Sequence, residues 1–129
     1  MAQMLAHISI LVNDYDEAIE FYTTKLGFKK IEDTVLSQTK RWVVVAPGDN
    51  TGSCCLLLAK AASDEQRTRI GNQTGGRVFL FLQTDDCWND YHRYSGNGVE
   101  FVRQPTVESY GTVAVFKDLY GNLWDLIQK

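Results

Sequence analysis

The two halves of the chain repeat one predicted pattern, a strand followed by a helix and then three strands. Residues 5–12 alternate as a strand does, and Asp14 with Glu17 three residues later is a capping-box pattern that begins a helix. Residues 78–83 alternate in the same way, and Asp86 is placed to cap a second helix. Such a repeat restricts the fold to two similar modules.

The strands after each helix complete the repeat. In the first half they are predicted at Phe28–Glu32, Trp42–Ala46 and Cys54–Ala59, with a turn around Pro47–Gly52. In the second half they are predicted at Val99–Arg103, Thr112–Phe116 and Leu123–Ile127. Module 1 therefore spans about 1–60, a linker spans 61–76 with one short helix, and module 2 spans about 77–129. The two sheets either curl around a shared cleft or pair across a dimer.

Composition excludes several classes of function. The chain has 129 residues, a net charge of −3 and no cluster of Lys and Arg, which argues against nucleic-acid binding. No apolar run reaches the roughly 20 residues of a membrane span, and the start does not have the pattern of a signal peptide. The 3 cysteines include no CxxC pair, so reduced thiols in a cytoplasmic protein are predicted rather than disulfides or structural zinc.

Two motifs carry a family resemblance that covers essentially the whole chain. "HISILVNDYDEAIEFYTTKLGF" followed by "FKDLYGNLWDLIQ" resembles the vicinal oxygen chelate superfamily, which includes glyoxalase I, type I extradiol dioxygenases, fosfomycin-resistance enzymes and bleomycin-resistance proteins. The resemblance implies a single glyoxalase-like α+β domain, in which two βαβββ modules form a curved mixed sheet around a cleft. It also implies a homodimer.

The resemblance further implies four metal-ligand positions, one on each of four cleft strands. His7 matches the first, and Asp125 matches the last with a shorter carboxylate. Phe79 takes the third, and the remaining one falls on Leu56 or one residue to either side, so two positions carry apolar groups. Two side chains would hold a divalent metal only weakly, and no tightly bound cofactor is expected.

His7 and Asp125 are also candidate catalytic residues, since the family geometry places both in one cleft. They are interpreted either as a proton-transfer pair or as a satisfied polar pair without a catalytic role. Phe79 and Phe81 are candidates to line an aromatic ligand site, and plain core packing explains them equally well. Trp42 is a candidate at the mouth of the cleft, although core packing is the safer interpretation. Tyr110 is a candidate ligand contact on a loop.

Three functions stay open from the sequence. The favoured one is binding of a small, partly aromatic molecule in the cleft without a tight catalytic metal, as in bleomycin-resistance proteins. The second is a lyase, isomerase or dioxygenase-type enzyme that uses His7 and Asp125 with a weakly held metal or as acid and base. The third is a partner-binding module with a vestigial cleft, because a fold alone does not fix a function.

Overall fold

A computed structural model describes residues 2–48 and 54–129, and it divides into two compact units, Met1–Ile70 and Gly71–Lys129. We call them unit 1 and unit 2. Each consists of one four-stranded mixed sheet with a helix, which confirms the predicted α+β fold of two similar βαβββ modules. Most of the predicted turn at Pro47–Gly52 lies outside the described residues.

Unit 1 contains four strands and two short α-helices. In chain order its elements are β1 (His7–Val12), α1 (Tyr15–Glu20), a π-helical turn (Phe21–Lys25), β2 (Lys29–Val35), β3 (Arg41–Ala46), β4 (Cys55–Lys60) and α2 (Asp64–Thr68). The strand order is β1-β4-β3-β2, with β1 and β4 parallel and the other pairs antiparallel. The first strand of the chain therefore lies beside the fourth.

The first helix begins as the sequence predicts. The carboxylate of Asp14 accepts a hydrogen bond from the backbone N–H of Glu17 at 2.9 Å, which satisfies one free donor of the first turn. The helix then widens into the π-helical turn, which the residue spacing does not predict. It stops before Gly27, whose φ of 74° lies in the left-handed region that glycine adopts without steric cost.

The two faces of the unit 1 sheet differ in burial. Ile10, Val12 and Leu58 are at most 1% exposed and share the face opposite Ser9 and Leu11, since successive residues of a strand alternate. Helix α1 contacts β3 and β4 and contributes the buried Ala18 to the core. This packing leaves the second face of the sheet available for a site.

Unit 2 repeats the same order. Its elements are β5 (Val78–Gln83), α3 (Cys87–Gly96), β6 (Phe101–Glu108), β7 (Gly111–Lys117) and β8 (Leu123–Gln128), in the sheet order β5-β8-β7-β6 with β5 and β8 parallel. Asp86 caps α3 by accepting from the N–H of Asn89 at 3.0 Å. Trp124 is 3% exposed and stacks on Phe116, so it belongs to the core of unit 2.

The predicted linker is shared between the two units. The one short helix predicted in the linker is α2, which Ser63 caps by accepting from the N–H of Gln66 and which belongs to unit 1. From Gly71 onwards the chain belongs to unit 2. A Cβ at Gly71 would lie 1.9 Å from the carbonyl oxygen of Tyr120, so this position requires a close backbone approach that only glycine allows.

The turn before β8 is organised by one buried carboxylate. Asp118 is 5% exposed, and its Oδ1 accepts from the backbone N–H groups of Tyr120, Gly121 and Asn122 at 3.0–3.1 Å. Its Oδ2 accepts from Asn122 Nδ2 at 3.0 Å and from Trp124 Nε1 at 3.4 Å. The Asp-x-x-Gly-Asn motif is thus a structural feature that fixes the entry into β8.

In the part of the chain that the structure describes, no helix has the length and apolar character needed to span a bilayer.

We expect Asp118→Ala to destabilise the protein, because several buried donors would lose their acceptor. The free energy of unfolding should fall by about 3 kcal/mol, measured by urea denaturation. Asp85→Ala removes an exposed carboxylate from the same unit and is the matched control, with little expected change. An Asp118→Ala variant as stable as this control would show that the turn forms without the carboxylate.

Candidate functional site

Unit 1 contains a groove of about 790 Å³, which is lined by residues of β1, α1, β3, β4 and α2 and by residues just before β3 and just after β4. We call it the unit 1 groove. Its apolar and aromatic wall includes Leu11, Tyr15, Trp42, Leu57 and Ala59. Its volume lies in the range of roughly 300–1,000 Å³ that is typical of small-molecule sites.

The groove follows from the pairing of β1 with β4. Ser9 lies beside Leu57 and Leu11 lies beside Ala59, so these four side chains point to one face. Two of them, Ser9 and Ala59, are small, which leaves space between the larger neighbours. The sequence pattern contained this signal, since Leu5, His7, Ser9 and Leu11 form one predicted face, but it did not show what lies beside them.

Trp42 forms one wall of the groove. It packs against a cluster of buried residues, Val44, Ala46 and Cys55, and is itself half-buried. The His7 ring meets the Trp42 ring edge-on, with 5.8 Å between the ring centroids. His7 therefore touches the wall from outside the groove lining, which places the predicted residues His7 and Trp42 together in unit 1.

Tyr15 and Arg41 form a second wall. The hydroxyl oxygen of Tyr15 accepts from the backbone N–H of Arg41 at 3.2 Å, and the guanidinium lies 5.2 Å from the centre of the Tyr15 ring. The sequence alone does not mark Tyr15 as a site residue, since it fits the apolar spacing of the helix with Ile19 and Tyr22. Its contact with Arg41 depends on the position of α1 beside β3, which local sequence does not reveal.

The Arg41 side chain is held by two carboxylates. Its Nε and Nη2 donate to the two carboxylate oxygens of Asp33 at 3.1 and 2.7 Å, a bidentate pair, and its Nη1 donates to Asp16 at 2.9 Å. The hydrogen bond from Arg41 lowers the pKa of Asp33 from its ordinary value, against the opposing effect of burial. This wall is therefore fixed before any ligand arrives.

The register of β1 and β4 shows which residues of β4 share the face of His7. Leu56 lies beside Ile8, on the face opposite His7, whereas Leu57 shares the face of His7. Cys55, which pairs directly with His7, and Leu57 both lie on the face of His7, so the register leaves both neighbours of Leu56 as candidates for the position on β4. Among residues 2–48 and 54–129, no group of three or more His, Cys, Asp or Glu side chains is placed to hold a metal ion. The incomplete metal site stays a prediction.

Asp125 lies in unit 2, in the middle of β8. It pairs with Phe81 on one side and Val115 on the other. Burial raises the pKa of the Asp125 carboxyl, and the positive charge of Arg103 opposes that rise. Because His7 belongs to unit 1, the pairing of His7 with Asp125 and a catalytic role for either residue stay predictions.

The other three aromatic candidates, Phe79, Phe81 and Tyr110, lie in unit 2 and not in unit 1 with Trp42. Phe81 is 69% exposed beside Asp125, and Tyr110 is 57% exposed in the turn between β6 and β7. Phe79 is half-buried at an irregularity of β5, between the paired residues Val78 and Leu80. All three lie in unit 2, so they do not contribute to the unit 1 groove, and ligand binding by them stays a prediction.

Comparisons with known proteins point to one family. The profile described as "Glyoxalase/Bleomycin resistance protein/Dioxygenase superfamily" matches residues 4–126. An uncharacterized protein of Shewanella frigidimarina (strain NCIMB 400) is 60% identical over 129 residues, covering 99% of this chain and 95% of the relative.

Two solved structures resemble the chain over nearly its full length. UcmS2 is 32% identical, with 98% of each chain covered and a TM-score of 0.85. TnmS3 from Streptomyces sp. CB03234, described as an antibiotic binding protein, is 28% identical. That alignment covers 98% of this chain and 96% of TnmS3, with a TM-score of 0.79.

The raised pKa of Asp125 predicts a pH-dependent stability. The folded protein binds this proton more tightly than the unfolded chain, so the free energy of unfolding falls as the pH rises between the two pKa values. Above both values the buried charge destabilises the fold. Asp125→Asn should therefore raise the melting temperature at pH 7, and the difference should disappear below about pH 4.

The matched control for this pH series is Asp85→Asn, an exposed carboxylate of the same unit. Its melting temperature should follow that of the wild type at every pH. If Asp125→Asn proves less stable than the wild type at pH 7, the attraction to Arg103 outweighs the cost of burial.

Proposed function

Because the chain belongs to the Glyoxalase/Bleomycin resistance protein/Dioxygenase superfamily, we propose that it binds a small, partly aromatic molecule in the unit 1 groove. The observation that carries this proposal is the groove itself. It combines a volume of about 790 Å³ with two aromatic walls, Trp42 and Tyr15, and an apolar floor from Leu57 and Ala59. Such walls favour binding of an aromatic molecule, because the molecule buries its apolar faces against them and stacks on the rings.

The fixed position of the walls supports binding further. Trp42 is held by the cluster beneath it and by His7, and Tyr15 is held through Arg41. A site whose side chains are already ordered loses little conformational entropy on binding. The antibiotic-binding activity described for TnmS3, at 28% identity, is consistent with a small molecule as the occupant here.

Loss of the Trp42 ring should weaken binding of a neutral aromatic probe. We expect Trp42→Ala to raise the Kd of N-phenyl-1-naphthylamine at least about tenfold, because the probe loses one wall of contact. Fluorescence titration measures the Kd, and Trp88→Ala is the control. Trp88 is 47% exposed on α3 and lies outside the groove lining, so this variant should bind as the wild type does.

A second variant separates lost contact from lost folding. Ala59→Leu adds atoms to the groove floor without removing a core side chain, so it should also weaken probe binding at an unchanged melting temperature. Probe binding that is unaffected by Trp42→Ala and by Ala59→Leu would reject the groove as the binding site.

A further inference from the structure

The charged side chains that line the unit 1 groove all have the same sign. They are Lys40, Arg41 and Lys60, and among the described lining residues there is no Asp or Glu. A cationic ligand would meet three like charges at close range, whereas an anionic group would meet charges of the opposite sign. The lining therefore discriminates between ligands by charge.

Arg41 contributes little to that discrimination. Its guanidinium is engaged by Asp33 at 2.7 Å and by Asp16 at 2.9 Å, so two negative charges offset its single positive charge. Lys30 in turn pairs with Asp33 at 3.3 Å. Arg41 is better described as a fixed part of the wall than as a site for an anion.

Lys40 and Lys60 are different. Both are exposed, and neither ammonium group forms an ion pair within the part of the chain that the structure describes. Lys40 directly precedes β3, and Lys60 ends β4. These strands run antiparallel with Val43 beside Leu58, so the start of β3 and the end of β4 lie at the same end of the sheet.

We propose that the ligand of the unit 1 groove is an aromatic molecule with an anionic group, such as a carboxylate, sulfonate or phenolate, which Lys40 and Lys60 bind. This inference rests on the proposed function, because it assigns a chemical class to the same ligand. The ring lies against Trp42 and Tyr15, and the anion lies at the lysine end of the groove. The apolar wall excludes part of the water around the charges, which strengthens their attraction.

Two probes with one ring skeleton test the proposal. N-phenyl-1-naphthylamine is neutral, and 1-anilinonaphthalene-8-sulfonate is the same skeleton with a sulfonate. In the double variant Lys40→Gln/Lys60→Gln, the Kd of the sulfonate probe should rise about tenfold at low ionic strength, while that of the neutral probe should change less than about twofold. In ~1 M salt the selective loss should largely disappear, because screening weakens both charge contacts.

Lys29→Gln provides the matched control. Lys29 is an exposed lysine of β2 outside the groove lining, and its replacement changes the net charge by the same amount per residue. It should leave the affinities of both probes unchanged. Melting temperatures of all variants check that the sulfonate probe reports the groove and not exposed apolar surface of a partly unfolded protein.

Each outcome bears on one of the two proposals. If both probes bind in a Trp42-dependent way but the double variant weakens them equally or not at all, the anionic ligand class is wrong and the binding function stands. If neither probe shows Trp42-dependent binding, the proposed function fails, and the ligand class fails with it. A selective loss of the sulfonate probe that is also seen with Lys29→Gln would show a general charge effect and overturn the proposal.

Discussion

Each unit depends on parallel pairing between its first and its fourth strand, β1 with β4 and β5 with β8. Parallel neighbours cannot be joined by a tight turn, so the intervening chain must cross over and return. In both units the helix and two antiparallel strands make that connection, and the helix then covers one face of the sheet. The helix does not cover the opposite face of that sheet. In unit 1 the same pairing sets Ser9 beside Leu57 and Leu11 beside Ala59, and this creates the groove.

The groove owes its shape to contacts that are already complete in the protein alone. Arg41 is bonded to Asp33, Asp16 and Tyr15 at once, and Trp42 lies between His7 and a buried apolar cluster. The ion pairs with Asp33 and Asp16 offset the charge of Arg41. Lys40 and Lys60 form no ion pair among the described residues. Arg41, which is paired, fixes a wall of the groove, whereas Lys40 and Lys60 are the cations that we propose bind the anionic group of the ligand.

Asp118 and Asp125 lie close together in the chain, but the sequence predicts their surroundings to different extents. Asp118 belongs to a turn motif, and its carboxylate accepts hydrogen bonds from Tyr120, Gly121, Asn122 and Trp124, which follow it closely in the chain, so the motif indicates a fixed turn. Asp125 lies in an apolar strand, and alternation with Trp124 places it on the face away from the core. Its neighbours Phe81 and Val115 come from distant parts of the chain, and these neighbours determine its burial and its pKa.

The sequence by itself determined the repeat, the order of strands and helices, and the caps at Asp14 and Asp86, because periodicity and capping act over a few residues. It also predicts that two of the family's four metal positions carry apolar groups, and this stays a prediction. Only the tertiary structure decided that Cys55 and Leu57, rather than Leu56, share the face of His7, because strand register depends on the pairing partner. Only the tertiary structure joined Tyr15, Arg41 and Trp42 to β4 as the walls of one groove, since their contacts link segments that no local pattern relates.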